Sequence, residues 1–163
     1  MDNLQEAFRK IYEGEAKAVL RLRAFSKVAR SEGLPQIARL FEAIAVSEEV
    51  HGTRAMKRLG LLGKTEENLK ASFESERDIA ESAYDNFLKQ AYEKGDKTAQ
   101  TIFSQSRDVE ATHAALYKKA MAHFMQERET TYYICQVCGY VSDGTLPNTC
   151  PVCGAKKEQF EKV

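Results

Sequence analysis

Apolar residues recur along positions 4–124 at alternating spacings of four and three, which is the period of amphipathic helices. The pattern predicts four helices, separated by breaks at 30–35, 60–65 and 94–97. At the first break, Gly33 fits a helix C-terminal cap and Pro35 fits the first turn of the next helix. Because short links join antiparallel neighbours, we expect a helical bundle built from hairpins.

Six polar side chains interrupt the apolar faces of these helices. The second helix carries Glu48 and His51, which are three residues apart and therefore on the same side of the helix. Burying such a pair without partners would cost several kcal/mol. The full set of intruding residues is Glu15, Glu48, His51, Glu76, Glu110 and His113.

The intruding residues form an internal repeat. Residues of the first hairpin recur 62 positions later in the second, pairing Gly33 with Gly95, Phe41 with Phe103, Glu48 with Glu110, and His51 with His113. Glu15 recurs 61 positions later as Glu76. The sequence is therefore a duplicated helix hairpin, in which each copy supplies one Glu and one Glu-x-x-His motif.

This donor set predicts a buried site for two metal ions. Four carboxylates and two imidazoles distributed in this way over four helices are typical of carboxylate-bridged di-iron or di-manganese bundles. About four negative charges would be balanced by two divalent ions. A single Glu on an apolar face is more often an ion-paired core residue, but duplication in register favours ligands. His123 lies outside the repeat and is predicted to be an ordinary surface residue of the fourth helix.

The composition changes after Thr131, where a strand-like segment and closely spaced Gly, Pro and Cys residues replace the helical period. We therefore predict two domains, a helical bundle over residues 1–130 and a small domain over residues 131–163. All four cysteines lie in the second domain, in two Cys-x-x-Cys pairs that are each followed by glycine. The spacing predicts a tetrahedral site for iron or zinc, formed by Cys135, Cys138, Cys150 and Cys153.

The charge balance excludes some partners. Lys plus Arg number 24 and Asp plus Glu number 24, so no net charge favours nucleic acid or an anionic membrane. No apolar stretch approaches the length of a membrane span, and the N-terminal residues are not signal-like. We expect a cytoplasmic protein, in which paired cysteines favour metal binding over disulfides.

The tail is similar to rubredoxin, on the residues Cys135–Tyr140, Leu146-Pro147, Cys150–Lys156 and Phe160-Glu161. Joined to the helical half, the whole chain resembles rubrerythrin. The resemblance implies a ferritin-like di-iron bundle that reduces hydrogen peroxide to water. It also implies that the four-cysteine iron delivers electrons, which a redox protein or an NAD(P)H-dependent reductase would supply. Glu48 and Glu110 would be the carboxylates that bridge the two irons.

The sequence departs from the rubrerythrin pattern at two places. Family members typically have a second glutamate three positions after the third-helix ligand, where this chain has Ile79. A family tyrosine seven residues after the first-helix ligand is replaced by Leu22, whereas Tyr84 matches a second family tyrosine and is predicted to assist catalysis. Fewer phenols leave fewer hydrogen bonds to the ligand carboxylates.

The short link after the second helix predicts a domain-swapped homodimer. Ferritin-like order makes the second and third helices parallel, so the chain must return along the bundle between them. The free residues, Gly60 to Thr65, span at most about 20 Å, whereas helices of about 25 residues are nearly 40 Å long. Each bundle would then combine the first hairpin of one chain with the second hairpin of the other.

Two other functions remain open on the residues alone. A ferroxidase or oxygen-reducing oxidase is favoured by Ile79, because it leaves the simpler six-ligand set. A zinc-stapled helical adaptor without enzymatic activity is compatible with the four cysteines.

Overall fold

The computed structural model describes residues 3–122 and 130–163. The chain divides into two compact units, residues 1–63 and 64–163. His123, with its predicted surface role, and the last position of the apolar pattern, residue 124, lie outside the described residues. Among those that are described, no helix is both long and apolar enough to cross a membrane.

The first unit is the predicted antiparallel hairpin of α1 (Asn3–Ser31) and α2 (Pro35–Arg58). Gly33 ends α1 with a φ of +74°, a conformation that favours glycine, and Leu34 N–H donates back to the carbonyl of Ala29. Small buried residues line the contact between the helices and let the backbones approach closely. These residues are Ser26, Ala29, Ala38, Ala45, Gly52 and Ala55.

Charged pairs on the flank of the hairpin fix its antiparallel alignment. Arg30 contacts a Glu42 oxygen at 2.6 Å, and the buried Ser26 hydroxyl donates to the same oxygen. The pKa of Glu42 is lowered by these hydrogen bonds from Arg30 and Ser26. Arg23 and Glu49 form a second ion pair at 2.8 Å, farther from the turn at Gly33.

The second unit contains the second hairpin and the small domain. Its helical half comprises α3 (Thr65–Asp78), a π-helical turn (Ile79–Ala83), α4 (Tyr84–Glu93) and α5 (Lys97–Ala122). Helices α3 and α4 both pack against α5. The connection passes through Gly95, whose φ is +66°, and Asp96 accepts the N–H of Ala99 at the start of α5.

The π-helical turn differs from the predicted uninterrupted third helix. A π turn inserts one extra residue and rotates everything after it by about 100°. In an uninterrupted helix, the 4,3 spacing that runs from Glu76 through Ala80 predicts Ala83 and Phe87 on the inward face. Leu88 is the buried residue instead (8% exposed), and Phe87 is 43% exposed. The inward positions thus continue from Ala80 through Tyr84 to Leu88.

The small domain is a three-stranded antiparallel sheet in the order β2-β1-β3. Its strands are β1 (Tyr132–Cys135), β2 (Val141–Asp143) and β3 (Phe160–Lys162), with a 3-10 turn at Lys157–Gln159. Tyr133 of β1 pairs with Ser142 on one side and Lys162 on the other. Strand β2 lies against α5, where Lys119 forms an ion pair with Asp143.

Candidate metal centres

The first hairpin brings together the polar side chains that interrupt its apolar faces. One donor atom from each of Glu15, Glu48 and His51 lies within 4.8 Å of the others, and we name this cluster the first half-site. His51 Nδ1 is 2.9 Å from a Glu48 oxygen and 3.8 Å from a Glu15 oxygen. Close helix approach makes this possible, since a Cβ added to Gly52 would stand 3.3 Å from the Glu15 Cβ.

The second hairpin repeats the arrangement. Donor atoms of Glu76, Glu110 and His113 lie within 4.8 Å of one another and form the second half-site. His113 Nδ1 is 3.4 Å from a Glu110 oxygen. The other ring nitrogen of His113, Nε2, is 3.2 Å from the backbone carbonyl oxygen of Gly139 in the small domain. The His113 side chain is 24% exposed, against 51% for His51.

Burial raises the pKa of Glu76 to about 7, and a hydrogen bond and charge repulsion from Glu110 act in the same direction. The positive charge that His113 can carry opposes the shift. Two carboxylates so close cannot both ionise easily unless a cation lies between them. The shift is therefore the electrostatic signature of a site built to hold positive charge.

We predict that the metal-free protein loses stability as pH rises from about 4.5 to about 7. In this range folded Glu76 keeps its proton while the unfolded carboxyl has lost it, so unfolding releases a proton and is favoured by rising pH. Thermal unfolding of metal-free protein between pH 4.5 and 8 measures the effect, and Glu76→Gln should flatten the dependence. Glu15→Gln is the matched control at the equivalent position of the repeat. An unchanged slope in Glu76→Gln would contradict the prediction.

The donors of both half-sites fit iron or manganese. Donors bound to one ion at about 2.1 Å lie no more than about 4 Å apart, which is close to the spacing within each cluster. Carboxylates together with imidazole suit borderline divalent ions of the first transition row. Each half-site contributes two carboxylates and one imidazole, which is half of the donor set of a di-metal centre.

The four cysteines form a second kind of site in the small domain. Sγ of Cys135 lies 3.7 Å from Sγ of Cys153, and Sγ of Cys138 lies 3.7 Å from Sγ of Cys150. Thiolates at the corners of a tetrahedron around a metal at about 2.3 Å would lie about 3.8 Å apart, so the spacing fits one tetrahedral ion. All four are free thiols rather than disulfides.

Backbone amides point at the sulfur atoms, as the predicted Cys-x-x-Cys turns require. Burial alone would raise the pKa of Cys135, but amides of Cys138 and Val137 bond to its sulfur and lower the pKa overall. Burial raises the pKa values of Cys138 and Cys153, although each sulfur also accepts one backbone amide. Buried thiols held this close together are stable as thiolates only when a cation binds between them.

Tyr84 does not belong to either metal cluster. Its half-buried ring packs edge-on against Phe87, with ring centres 5.8 Å apart, and lies 6.4 Å from the ring of Phe103. Its expected catalytic role stays a prediction. Ile79, at the start of the π turn, is 38% exposed and offers no donor atom. Leu22 is half-buried and likewise non-ligating.

Two family models match the chain, one over the helical part and one over the small domain. The family model described as rubrerythrin matches residues 2–121, and the model described as the rubredoxin-like domain of rubrerythrin matches residues 133–161. The chain belongs to the rubrerythrin family. A rubrerythrin of Porphyromonas gingivalis is 31% identical, over 93% of this chain and 86% of that protein. Nigerythrin of Nitratidesulfovibrio vulgaris is 28% identical, over 98% of this chain and 84% of that protein.

Solved structures agree with the sequence relatives. Nigerythrin in a partially reduced state has a TM-score of 0.61 and 26% identity, covering all of this chain and 88% of that chain. The fully reduced, all-ferrous nigerythrin structure has the same TM-score, identity and coverage. The predicted fold class, a ferritin-like helical domain with a rubredoxin-like domain, is therefore confirmed.

Family membership and donor geometry also confirm the predicted cofactors. Two irons suit the carboxylate and imidazole clusters, and one iron suits the four thiolates. The rubrerythrin-family chain is thus an iron-dependent redox protein.

Two features of the site did not follow from the sequence pattern. The first is the hydrogen bond between His113 and Gly139, because no periodicity relates α5 to a turn of the small domain. The second is the π turn after Glu76. Its signal in the sequence was the spacing of four that joins Ala80, Tyr84 and Leu88, which competes with the stripe through Phe87.

Proposed function

We propose that this rubrerythrin-family protein reduces hydrogen peroxide to water at a di-iron site, in protection against oxidative stress. The observation that carries the proposal is the duplicated cluster of two glutamates and one histidine, with the second copy hydrogen-bonded to the four-cysteine turn. A di-iron centre held by these clusters would store two electrons, and an iron held by the four thiolates would replace them one at a time.

The proposed reaction is H2O2 + 2e⁻ + 2H⁺ → 2 H2O. Two ferrous ions, when bound, supply one electron each and match the two-electron cleavage of the O–O bond. The chain's own part is to hold the donors in place, keep the charge near neutral and move protons. In the metal-free protein, burial and the neighbouring Glu110 raise the pKa of Glu76 to about 7, which supports a role for this carboxyl in proton transfer.

The proposed ligand assignment follows the clusters. The di-iron ligands are Glu15, Glu48, His51, Glu76, Glu110 and His113, and the electron-transfer iron is bound by Cys135, Cys138, Cys150 and Cys153. Tyr84 is proposed to assist the reaction at the helical site. We also propose the domain boundary predicted above, with the di-iron domain at residues 1–130 and the rubredoxin-like domain at 131–163.

Electrons are proposed to arrive from a redox protein or an NAD(P)H-dependent reductase and to pass through the four-cysteine iron. The route is supported by the contact between His113 and Gly139, since Gly139 follows Cys138 directly in the chain. We place the reaction in the cytoplasm, where reducing conditions keep thiolate ligands from forming disulfides.

A domain-swapped homodimer is proposed to complete the di-iron site. Helix α2 ends at Arg58 and α3 begins at Thr65, so the link has six residues and reaches only about 20 Å. Helix α2 has 24 residues and is about 36 Å long, so this link cannot return along it. Combining the first hairpin of one chain with the second hairpin of another unites the two halves of the donor set without that return.

Incomplete burial of the first hairpin supports the same proposal. Side chains on the face that carries Glu15 and Glu48 remain substantially exposed, namely Ile11 (43%), Ile37 (45%) and Ile44 (38%). Apolar residues this exposed beside a proposed metal site favour a covering surface. The second hairpin of another copy offers that surface and the missing ligands together.

An oxygen-reducing oxidase or ferroxidase is the second candidate, and Ile79 favours it. The side chain at this position provides no carboxylate, so the donor set is limited to the six clustered residues. We rank it below peroxide reduction because the four-cysteine site supplies a dedicated route for electrons, which a ferroxidase does not need. The same four thiolates would serve a zinc-stapled adaptor, but the di-metal donor set has no purpose there.

Anaerobic stopped-flow spectroscopy tests the proposal. Fully reduced iron-loaded protein is mixed with hydrogen peroxide or, separately, with oxygen-saturated buffer, and ferric absorption is followed. We expect oxidation by peroxide at least about 10-fold faster than by oxygen at equal concentration, because two stored electrons complete the reduction of peroxide to water, whereas oxygen requires four. Faster oxidation by oxygen would establish the oxidase instead. No reaction with either oxidant would remove both enzymatic proposals.

A further inference from the structure

The two imidazoles of the repeat have different surroundings. His113 uses Nδ1 toward Glu110 and Nε2 toward the carbonyl oxygen of Gly139. His51 uses Nδ1 toward both carboxylates of its cluster, and within the described residues its Nε2 has no hydrogen-bond partner. The two half-sites therefore have the same donor types, but only the His113 ring has a described hydrogen-bond partner at Nε2.

The carbonyl of Gly139 fixes the tautomer of His113. A carbonyl oxygen only accepts hydrogen bonds, so Nε2 must carry the proton and donate it. In the neutral imidazole this leaves the lone pair on Nδ1, which faces Glu110, and that tautomer is the one that binds a metal through Nδ1. No described residue constrains Nε2 of His51 in this way, so His51 must select this tautomer and ring orientation when the metal binds.

The position of the Gly139 carbonyl depends on the turn formed by residues 135–140, which we name the cysteine turn. Gly139 N–H donates to the carbonyl of Cys135 at 2.9 Å, and Cys135 N–H donates to the carbonyl of Tyr140 at 2.9 Å. Gly139 has a φ of +84° and directly follows Cys138, one of the four thiolate residues. A metal bound by these sulfurs locks the turn and with it the carbonyl.

The cysteine turn is also seated on α5. A Cβ added to Gly139 would lie 3.8 Å from the side chain of Val109, which is 3% exposed. Farther along α5, Lys119 is paired with Asp143 of β2, and Thr130 donates to the same carboxylate. Contacts on both sides of His113 therefore resist sliding of the small domain along the helix.

We propose that metal binding at the four-cysteine site raises metal affinity at the second half-site, with the Gly139 carbonyl acting on His113 as the positioning group. Partners that orient a metal-bound histidine typically change affinity by about 10-fold to 100-fold, so we expect about 10-fold here. The coupling is reciprocal, and metal at the second half-site strengthens metal binding by the thiolates by the same factor. No described backbone carbonyl orients His51 in this way, so we expect the first half-site to bind its metal more weakly. This inference does not rest on peroxide reduction.

Manganese binding measures the coupling without any turnover. Free Mn(II) is counted by electron paramagnetic resonance while Mn(II) is titrated into full-length reduced protein, with either no zinc or one Zn(II) per chain. The thiolates take the zinc because they are the softer donors, and Mn(II) prefers the carboxylate sites. We expect the tighter Mn(II) to bind about 10-fold more strongly in the zinc-loaded protein. Equal affinity in both forms would overturn the proposal.

The repeat offers a matched pair of variants. Glu15→Ala and Glu76→Ala remove equivalent ligands from the first and second half-sites. Glu15→Ala should keep one Mn(II) site that responds to zinc, whereas Glu76→Ala should lose the zinc response. Identical behaviour of the two variants would show that the half-sites are equivalent and would refute the asymmetry.

Nitrogen-15 NMR of the wild-type histidine rings tests the contact itself and needs no variant. In protein loaded with one Zn(II) per chain, His113 should show a single Nε2-protonated tautomer with a slowly exchanging ring proton. His51 serves as the internal control and should show rapid exchange. A rapidly exchanging His113 ring would remove the positioning role of Gly139.

Discussion

A mixture of two inactive variants, Glu48→Ala and Glu110→Ala, is expected to recover activity that neither has alone. Each variant by itself should lose at least about 100-fold in peroxide turnover, because one proposed ligand carboxylate is missing from every site. After joint unfolding and refolding with iron, peroxide turnover should return to about a quarter of the wild-type value, since random pairing makes half of the dimers mixed.

The reason is the proposed exchange of hairpins. In a mixed dimer, one bundle combines the altered first hairpin with the altered second hairpin and carries both defects. The other bundle combines the unaltered first hairpin of the Glu110→Ala chain with the unaltered second hairpin of the Glu48→Ala chain. This bundle has all six ligands, so half of the sites in each mixed dimer are complete.

The control mixture is Glu15→Ala with Glu48→Ala, whose changes both lie in the first hairpin. No pairing of these chains yields an intact site, so no recovery is expected. Iron bound per chain provides a second measurement that does not depend on activity. If the first mixture also failed to recover, with mixed dimers demonstrated by mass spectrometry of isotope-labelled chains, each site would be built within one chain.

Loss of the four-cysteine site is expected to slow steady-state turnover, which needs an electron supply, without slowing a single oxidation of the reduced protein by peroxide. In Cys150→Ala, steady-state turnover with an external reductase should fall at least about 100-fold, which corresponds to about 2.7 kcal/mol. A single oxidation of chemically reduced protein by peroxide, at saturating ferrous iron, should change by less than about 3-fold. The reason is that Cys150 belongs to the four-cysteine cluster, the proposed site of the electron-transfer iron, and to neither helical half-site.

The matched control for this variant is Val137→Ala, which alters a side chain between the first two cysteines that is 58% exposed and is not a ligand. It should retain both the steady-state and the single-turnover rates within about 2-fold. An equal loss of both rates in Cys150→Ala would show that the small domain is needed for the chemistry itself. Unchanged steady-state turnover would show that electrons reach the helical site by another route.

Local sequence signals predicted much of the architecture. The 4,3 spacing of apolar residues predicted the first hairpin, and the structure confirms the turn at Gly33 and the start of α2 at Pro35. The repeat also predicted which side chains come together, and each half-site contains the expected two glutamates and one histidine. These predictions succeed because helical geometry places residues three and four apart on one face, whatever packs against that face.

The register of the third helix could not be predicted in the same way. An inward face through Phe87 and an inward face through Leu88 are both compatible with an amphipathic helix. The two alternatives differ by the one extra residue that the π turn inserts. Packing against α5 decides between them, and it buries Leu88 (8% exposed) rather than Phe87 (43% exposed). Propensity alone does not favour a π turn, so local sequence carries little of this information.

The sequence by itself determined the kinds of metal site, because donor type and spacing are local properties of helices and of Cys-x-x-Cys turns. It also revealed the two equivalent halves through the repeat of Glu48 and His51 as Glu110 and His113. Only the tertiary structure decided that the halves are unequal. Folding of the small domain against α5 places the carbonyl of Gly139 on the ring of His113, and no such partner reaches His51 within the described part of the chain. That difference depends on a contact between residues 26 positions apart, which no local pattern encodes.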